Sequence, residues 1–313
     1  MIRPFVKKIY NEHKWFKILF KFPKKIFDFY RFRIVDEKRV IYNNFYKFQG
    51  YQLNLENPKT FNEKIQWLKL NDRTPLHTQC ADKYMVRDYV AQKVGEQYLI
   101  PLVFHTEDVS QLTMDKLPDY PVIIKTNHDS GNYVIVRDKK QFDLNAVRNK
   151  MRAAMKKNYY YHTKEWQYKN IKPRVVVEKL LMQKGGSIPY DYKVHCIHGK
   201  VEMISVDLHR GTKEHRRNWY DINWQRLPFD WASILDGVKT VQSDIDIEKP
   251  NCLDEMVLLS EKISSSFKYA RVDWYEVESK LYFGEITFHH DSGFQPIEPN
   301  EWDLKIGAKL KLQ

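Results

Sequence analysis

"RVDWYEVESKLYFGEITF", residues 271–288, reads as two strands joined at a turn near Ser279, with acids where apolar residues are expected. Side chains alternate with period two along a strand. A turn centred on Ser279 therefore sets Tyr275 opposite Phe283 and Asp273 opposite Glu285, on one face. Like charges directly opposed destabilise a strand pair. A positive species between them resolves the conflict, and a hard divalent cation held by carboxylate oxygens is the economical candidate. The alternatives are a register shifted by one residue, or two acids that face water.

Working outward, a helix is expected over roughly 252–267, and "DYKVHCIHGKVEMISVDLH" from Asp191 is a second hairpin turning at His198 and Gly199. "RVVVEKLL", from Arg174, is an apolar strand, and "YPVIIKTN" and "NYVIVRDKK" flank the tight connection "HDSG" that holds Ser130 and Gly131. Ahead of these strands the texture is helical. "NPKTFNEKIQWLKL" carries a capping box, Thr60 with Glu63, before a face of Phe61, Ile65 and Leu68. "HTQCADKYMVRDYVAQKVG" predicts a second helix, with Met85, Tyr89 and Val90 packed and Gly95 closing it.

The chain has 313 residues, enough for about two domains or one composite domain with lobes, and 42% hydrophobic with 14% aromatic residues excludes a disordered chain. Of the net charge of +12, residues 1–39 hold +8. In that segment Phe5, Ile9, Phe16, Leu19 and Phe20 fall at helical spacings, Pro23 interrupts, and Ile26, Phe27 and Tyr30 resume. A basic, aromatic, amphipathic arm of this kind suits an anionic membrane surface; the alternative is a helical arm packed on the body. Cys80, Cys196 and Cys252 are odd in number and widely spaced, which argues against a disulfide framework and for a reducing cytoplasm. No apolar run reaches the roughly 18 to 20 residues of a membrane span.

Several charged residues stand where chemistry is possible. Lys125 ends an apolar strand before a small loop, a place for an ammonium and backbone N–H groups to hold phosphate, or simply a strand lysine reaching solvent. Lys83, in the first turns of its expected helix, opposes the helix dipole unless an anion lies nearby. Glu178, followed by Lys179, Leu180 and Leu181, ends an apolar strand at a hinge able to meet an adenine edge, or else forms a strand-end pair with Lys179. Asp191 and Lys193 share a face and can reach ribose and phosphate. No nucleophile elbow, HExxH or glycine-rich nucleotide fingerprint occurs. The pair His289 and His290 points to opposite faces of a strand, so one of them at most faces a site.

In order, Lys83, Lys125, "EKLL" from Glu178, "DYK" from Asp191, "RVD" ending at Asp273 and "GEIT" containing Glu285 resemble the scattered signature of the ATP-grasp superfamily. "DKYMVRDYV", "VIIKTNHDSG", "NWYDINW" and "YFGEITF" resemble more closely its TupA-like branch of bacterial surface-polysaccharide clusters, over about residues 51–300. The resemblance implies an α+β, ATP-grasp fold: two lobes with antiparallel sheets clasping ATP, preceded by the basic amphipathic arm. Its organisation would be 1–50 arm, 51–119 helical part, 120–183 small ATP-binding lobe and 184–313 metal- and substrate-binding lobe. Lys83, Lys125, Ser130, Gly131, Glu178, Lys179, Leu181, Asp191 and Lys193 would hold ATP, and Asp273, Glu285 and Thr287 would bind Mg2+. Thr287 departs from the family's usual Asn, and the loop after Lys125 is poorer in glycine than many.

The implied chemistry is carboxylate–amine ligation through an acyl phosphate, on a surface polysaccharide or its precursor, at the cytoplasmic face of the membrane and with no nucleic acid partner. The substrates would be an acidic sugar carboxylate and an amine from an amino acid or amino sugar. Arg210, Arg216, Arg217 and Arg271 are candidates to hold the acid, and Arg216 and Arg271 are the ones chosen. A glycosyltransferase using Asp244–Asp246, "DID", as a metal motif, a sugar kinase on the same ATP site and a noncatalytic scaffold stay as rivals.

Overall fold

The computed structural model describes residues 29–209, 214–231, 234, 235 and 238–312. The arm's apolar positions from Phe5 to Phe27, and Arg210, lie outside the described residues. The part of the arm within them contains helix α1 (Glu37–Gln49), started by Asp36 accepting from the Arg39 N–H and closed by left-handed Gly50. Ile41 and Phe45 of α1 pack against Leu53 and Phe294, so this part lies on the body.

Helix α2 (Phe61–Asn71) has both halves of the expected capping box, and Phe61, Ile65 and Leu68 are buried. The next helix breaks in two, α3 (Pro75–Ala81) and α4 (Val86–Val94). Asp82 causes the break, because its carboxylate accepts from the N–H groups of Tyr84 and Met85 and so competes with the helical ladder. Lys83 therefore sits in a turn between helices, and Met85 is exposed where packing was expected.

A four-stranded sheet follows, built from β1 (Leu102–Thr106), β2 (Val122–Thr126), β3 (Tyr133–Val136) and, beyond α5 (Leu144–Met155) and α6 (Tyr160–Thr163), β4 (Val175–Lys179). The order is β1-β4-β2-β3, all neighbours antiparallel, and β1 comes from the stretch expected to be helical. Val147 and Met151 of α5 cover one face, against Ile124, Val136 and Val175.

The second sheet has the order β12-β11-β5-β6-β7, again antiparallel. Its strands are β5 (Asp191–Ile197), β6 (Lys200–Leu208), β7 (Arg216–Tyr220), β11 (Tyr269–Val277) and β12 (Lys280–Thr287). Between β7 and β11 lie the short β8 (Asp230–Trp231), β9 (Ile234–Leu235) and β10 (Val238–Lys239), then helix α7 (Leu253–Ser264). The fold ends with β13 (Ile297–Glu298) and α8 (Asn300–Lys309). Helices α4 and α7 bury Tyr89, Val90, Met256 and Ile263 against Val194, Ile204, Val272 and Trp274. Period-two alternation then sends Asp191, Lys193, Asp207, Arg217, Arg271 and Asp273 to the other face.

The hairpin of β11 and β12 corrects the expected register. Glu278 and Ser279 are both left-handed, a two-residue turn centred between them and not on Ser279. Trp274 thus faces Phe283 and Tyr275 faces Tyr282. A bulge between Val272 and Trp274 absorbs the offset, so Arg271 lies opposite Thr287 and Asp273 sits in the bulge beside Gly284. Bulges bend a strand and re-aim its side chains. A Cβ on Gly284 would lie 3.1 Å from the Asp273 carbonyl oxygen, so the close approach calls for glycine.

Candidate active site

A cleft of about 620 Å3 opens between the two sheets. The small sheet lines it with Ile123, Lys125, Ile135 and Glu178, and the large sheet with Asp191, Asp207, Asp273, Tyr275 and Glu285. Lys83, Ser130, Gly131, Lys179 and Leu181 complete the part of the lining that the sequence singled out.

On the small-sheet side, the Lys125 ammonium lies 2.6 Å from Glu178 Oε2, and Arg87 approaches Oε1 at 3.5 Å. Glu178 is buried while Lys179 is exposed, so the two do not form a strand-end pair. The hinge is anchored by its own backbone: Lys179 N–H donates to Pro101 and Leu180 N–H to Pro121. The loop 127–132 is braced from within by Asp129 accepting from Asn132 at 2.6 Å and from outside by Asn127 donating to Asp82 at 2.9 Å. Lys83 donates to the Asp129 carbonyl at 2.6 Å and lies 3.6 Å from Glu285 Oε2, joining this loop to β12.

On the large-sheet side, charges of alternating sign cross the strands. Arg217 grips Asp207 through Nε at 2.7 Å; Asp207 lies 3.1 Å from Lys193; and Lys193 touches Asp191 and lies 4.0 Å from Asp273. Arg271 closes the row, with Nε and Nη2 each 2.6 Å from an Asp273 oxygen and Nη2 3.3 Å from Glu285. The positive group between the two acids of the opening hairpin is thus the Arg271 guanidinium. Burial works against the charge on Arg271, but Asp273 more than offsets it, and its pKa stands well above the ordinary range. Burial pushes the Asp273 carboxyl up to about 6, with Arg271 and Lys193 pulling the other way. Asp207 is opposed by burial as well, yet Arg217 and Lys193 hold it well below the carboxylate range.

Several expected residues are placed differently. Arg216 does not line the cleft; its Nη1 donates to the neighbouring His215 carbonyl, and Arg217 is the inward-facing member of the pair. Lys193 and Arg271 lie beneath the cleft floor and do not line it, and Thr287 is off the lining as well. His289 and His290 lie beyond the strand, which ends at Thr287, and both rings are buried. His289 meets Glu165 and Gln167, whereas His290 meets Arg271. Asp246 of "DID" is held by Arg226 at 2.8 Å and lies outside this cleft, in the lining of a separate pocket of about 520 Å3 with Tyr190, Tyr192 and Glu248. Asp207 and Asp129 were not anticipated, and Arg217 was a candidate passed over in favour of Arg216. A turn at His198–Gly199 alone would set Val206 opposite Asp191; a bulge between His195 and Cys196 shifts the register and brings Asp207 there instead, which the sequence did not signal.

Asp273 and Glu285 offer oxygen donors only, which suits a hard cation. Glu285 is about a third exposed, and no group of three or more potential ligands occurs among the described residues. Such a pair fits Mg2+ carried in with phosphate oxygens, the usual manner of that ion, and not a metal caged by protein alone.

No curated protein matches the chain. Among solved structures, a D-alanine–D-alanine ligase from Bacillus anthracis is 19% identical, covering 67% of this chain and 57% of its own, with a TM-score of 0.39. The ATP-grasp ligase PsnB, solved with a precursor variant, Mg and ADP, is 12% identical over 76% and 61%, with a TM-score of 0.40. An N5-carboxyaminoimidazole synthase from Aspergillus clavatus is 12% identical over 68% and 46%, with a TM-score of 0.37. The chain thus spans about half to three fifths of the length of these proteins. Residues 63–311 match the family model for TupA-like ATP-grasp proteins, most of the chain and all of the strands described above, and the chain belongs to that family.

Proposed function

We propose that the protein is an ATP- and Mg2+-dependent carboxylate–amine ligase that forms an amide on a bacterial surface polysaccharide or its precursor. The observation that carries this reading is the single cleft in which Lys83, Lys125 and Glu178 from one side meet Asp273 and Glu285 from the other. In the reaction, a carboxylate oxygen of the acidic sugar attacks the γ-phosphorus of ATP, ADP leaves, and an acyl phosphate forms. The amine then attacks the acyl carbon, inorganic phosphate departs, and the amine gives up a proton. No protein nucleophile is needed, and positioning with charge neutralisation accounts for the catalysis.

Lys83 and Lys125 bind the phosphates, and the stretch from Glu178 to Leu181 receives adenine. Asp273, Glu285 and, less centrally, Thr287 would hold Mg2+, which when bound supplies charge neutralisation at the transferring phosphoryl. Arg271, buried against both acids, orients them and meets the developing charge from below. The arm's basic and aromatic residues would bring the protein to the inner face of the membrane, near a lipid-linked substrate.

Incubation with Mg-ATP, uronic-acid-containing glycans and hydroxylamine tests the chemistry. The expected products are ADP and a glycan hydroxamate; a phosphate ester would instead make the protein a sugar kinase. Deleting residues 1–28 should lower sedimentation with anionic vesicles, and unchanged sedimentation would remove the membrane role.

A further inference from the structure

His290 stands between two guanidinium groups. Its Nδ1 lies 2.7 Å from Arg271 Nη1, and its Nε2 lies 3.3 Å from Arg217 Nη1. Arginine offers donors only and stays protonated, whereas a neutral imidazole has one lone pair to give. The shorter contact decides which nitrogen carries it. Nδ1 accepts from Arg271, so the ring proton is on Nε2, where Arg217 cannot accept it. Asp291 Oδ2 lies 3.4 Å from Nε2 and accepts from Arg217 Nη1 at 3.3 Å. Burial first, then Arg271 and Arg217, keep the ring neutral, as this arrangement requires.

The backbone that delivers Asp291 is unusual. Asp291 and Ser292 are both left-handed, at φ 46° and 56°, a conformation that costs of order 1 to 3 kcal/mol per residue where it is not glycine. The turn is pinned from below, with Gln66 donating to the Ser292 and Gly293 carbonyls and Lys69 donating to Ser292. Strain of this kind is sustained only by an over-determined surrounding, and here it returns the Asp291 carboxylate to the ring of the preceding residue.

We infer that His290, held in its Nε2–H form by the Arg271 contact at Nδ1 with the Asp291 carboxylate beside Nε2, is a positioning residue that sets the Arg271 guanidinium against Asp273 and keeps it from taking over Glu285. The inference rests on the reading of Asp273 and Glu285 as the Mg-ATP end of the site. Without an acceptor at Nδ1, Arg271 Nη1 loses its partner and the guanidinium turns further onto Glu285, already 3.3 Å away. The carboxylate then becomes less available to the cation. Neighbours that orient metal-site groups typically contribute 10- to 100-fold to metal affinity.

The test uses the full chain, a fluorescent ATP analogue and a Mg2+ titration, with binding as the readout. His290→Leu should raise the Mg2+ concentration at half-saturation by roughly tenfold, and Asp291→Ala should move it the same way. His290→Asn, which keeps an acceptor near Nδ1, should stay within about threefold of the original. Nitrogen-15 spectra of histidine-labelled protein should show His290 protonated at Nε2. An unchanged Mg2+ midpoint in both His290→Leu and Asp291→Ala, or a proton on Nδ1, would overturn the inference. Absence of nucleotide binding in the unaltered protein would instead overturn the reading of the site, and the ring's protonated nitrogen would still decide the positioning role.

Discussion

Among single residues, the charges beneath the cleft owe their burial to one another. Arg217, Asp207, Lys193, Asp273 and Arg271 each have an oppositely charged neighbour within 4.0 Å. Pairs of this kind add little net stability over apolar replacements, but removing one partner leaves the other uncompensated. Lys69 is differently placed. Fully buried, it donates to Gln66 and the Ser292 carbonyl and lies 4.1 Å above the Phe294 ring, with carboxylates only at longer range. Burial lowers its pKa to about 7, with Glu165 and Glu37 opposing. In the unfolded chain the group titrates near 10.5, so between pH 7 and 10 the unfolded state holds more protons and stability rises with pH. The slope from this one group is at most about 1.4 kcal/mol per pH unit. Urea unfolding at pH 7 and pH 9 should show a smaller rise in Lys69→Met than in the unaltered protein, and equal rises would contradict it. The sequence made Lys125, Glu178, Asp273 and Glu285 visible because each breaks an apolar run. Arg216 was chosen over Arg217 because deciding between adjacent arginines requires the strand's facing, which the hairpin register of β6 and β7 decides.

At the level of elements, hairpins with recognisable turns were legible from sequence and the finer joints were not. His198 with Gly199, and the loop of Ser130 and Gly131, reverse the chain where turn chemistry places them. The β11–β12 turn lies half a residue from its expected centre, and only tertiary contacts at Gly284 and Asp273 show that a bulge compensates. The split between α3 and α4 follows from one carboxylate, Asp82, whose competition with the helix depends on its bond to Asn127, 45 residues away. The turn after β12 is equally dependent on its setting. A Cβ on Gly293 would come within 2.5 Å of Ile65, at φ +63°. Gly293→Ala should therefore cost about 2 to 4 kcal/mol through overpacking and backbone strain together. A urea midpoint that moves by less than about 0.5 kcal/mol equivalent would show that the contact with α2 yields easily.

For the whole molecule, the ATP-grasp fold was legible as an ordered scatter of residues, Lys83 through Glu285, and not from any single motif. Antiparallel sheets separate in sequence the groups they join in space: Lys83 and Glu285 are 3.6 Å apart across some two hundred residues. The identity of the acid and the amine was not legible, because acceptor recognition depends on where side chains converge beyond the phosphate end, and composition does not encode that. The measurement that tests the account most directly is thermal unfolding with Mg-ATP, with Mg2+ and UDP-sugars, and with neither, in the unaltered protein, Lys125→Ala and Glu285→Ala. Ligand at about 100 times its Kd adds roughly 2.7 kcal/mol of stability. A Mg-ATP shift that both variants lose is the predicted result; no shift with Mg-ATP beside a clear shift with UDP-sugars would contradict the nucleotide site and the ligase built on it.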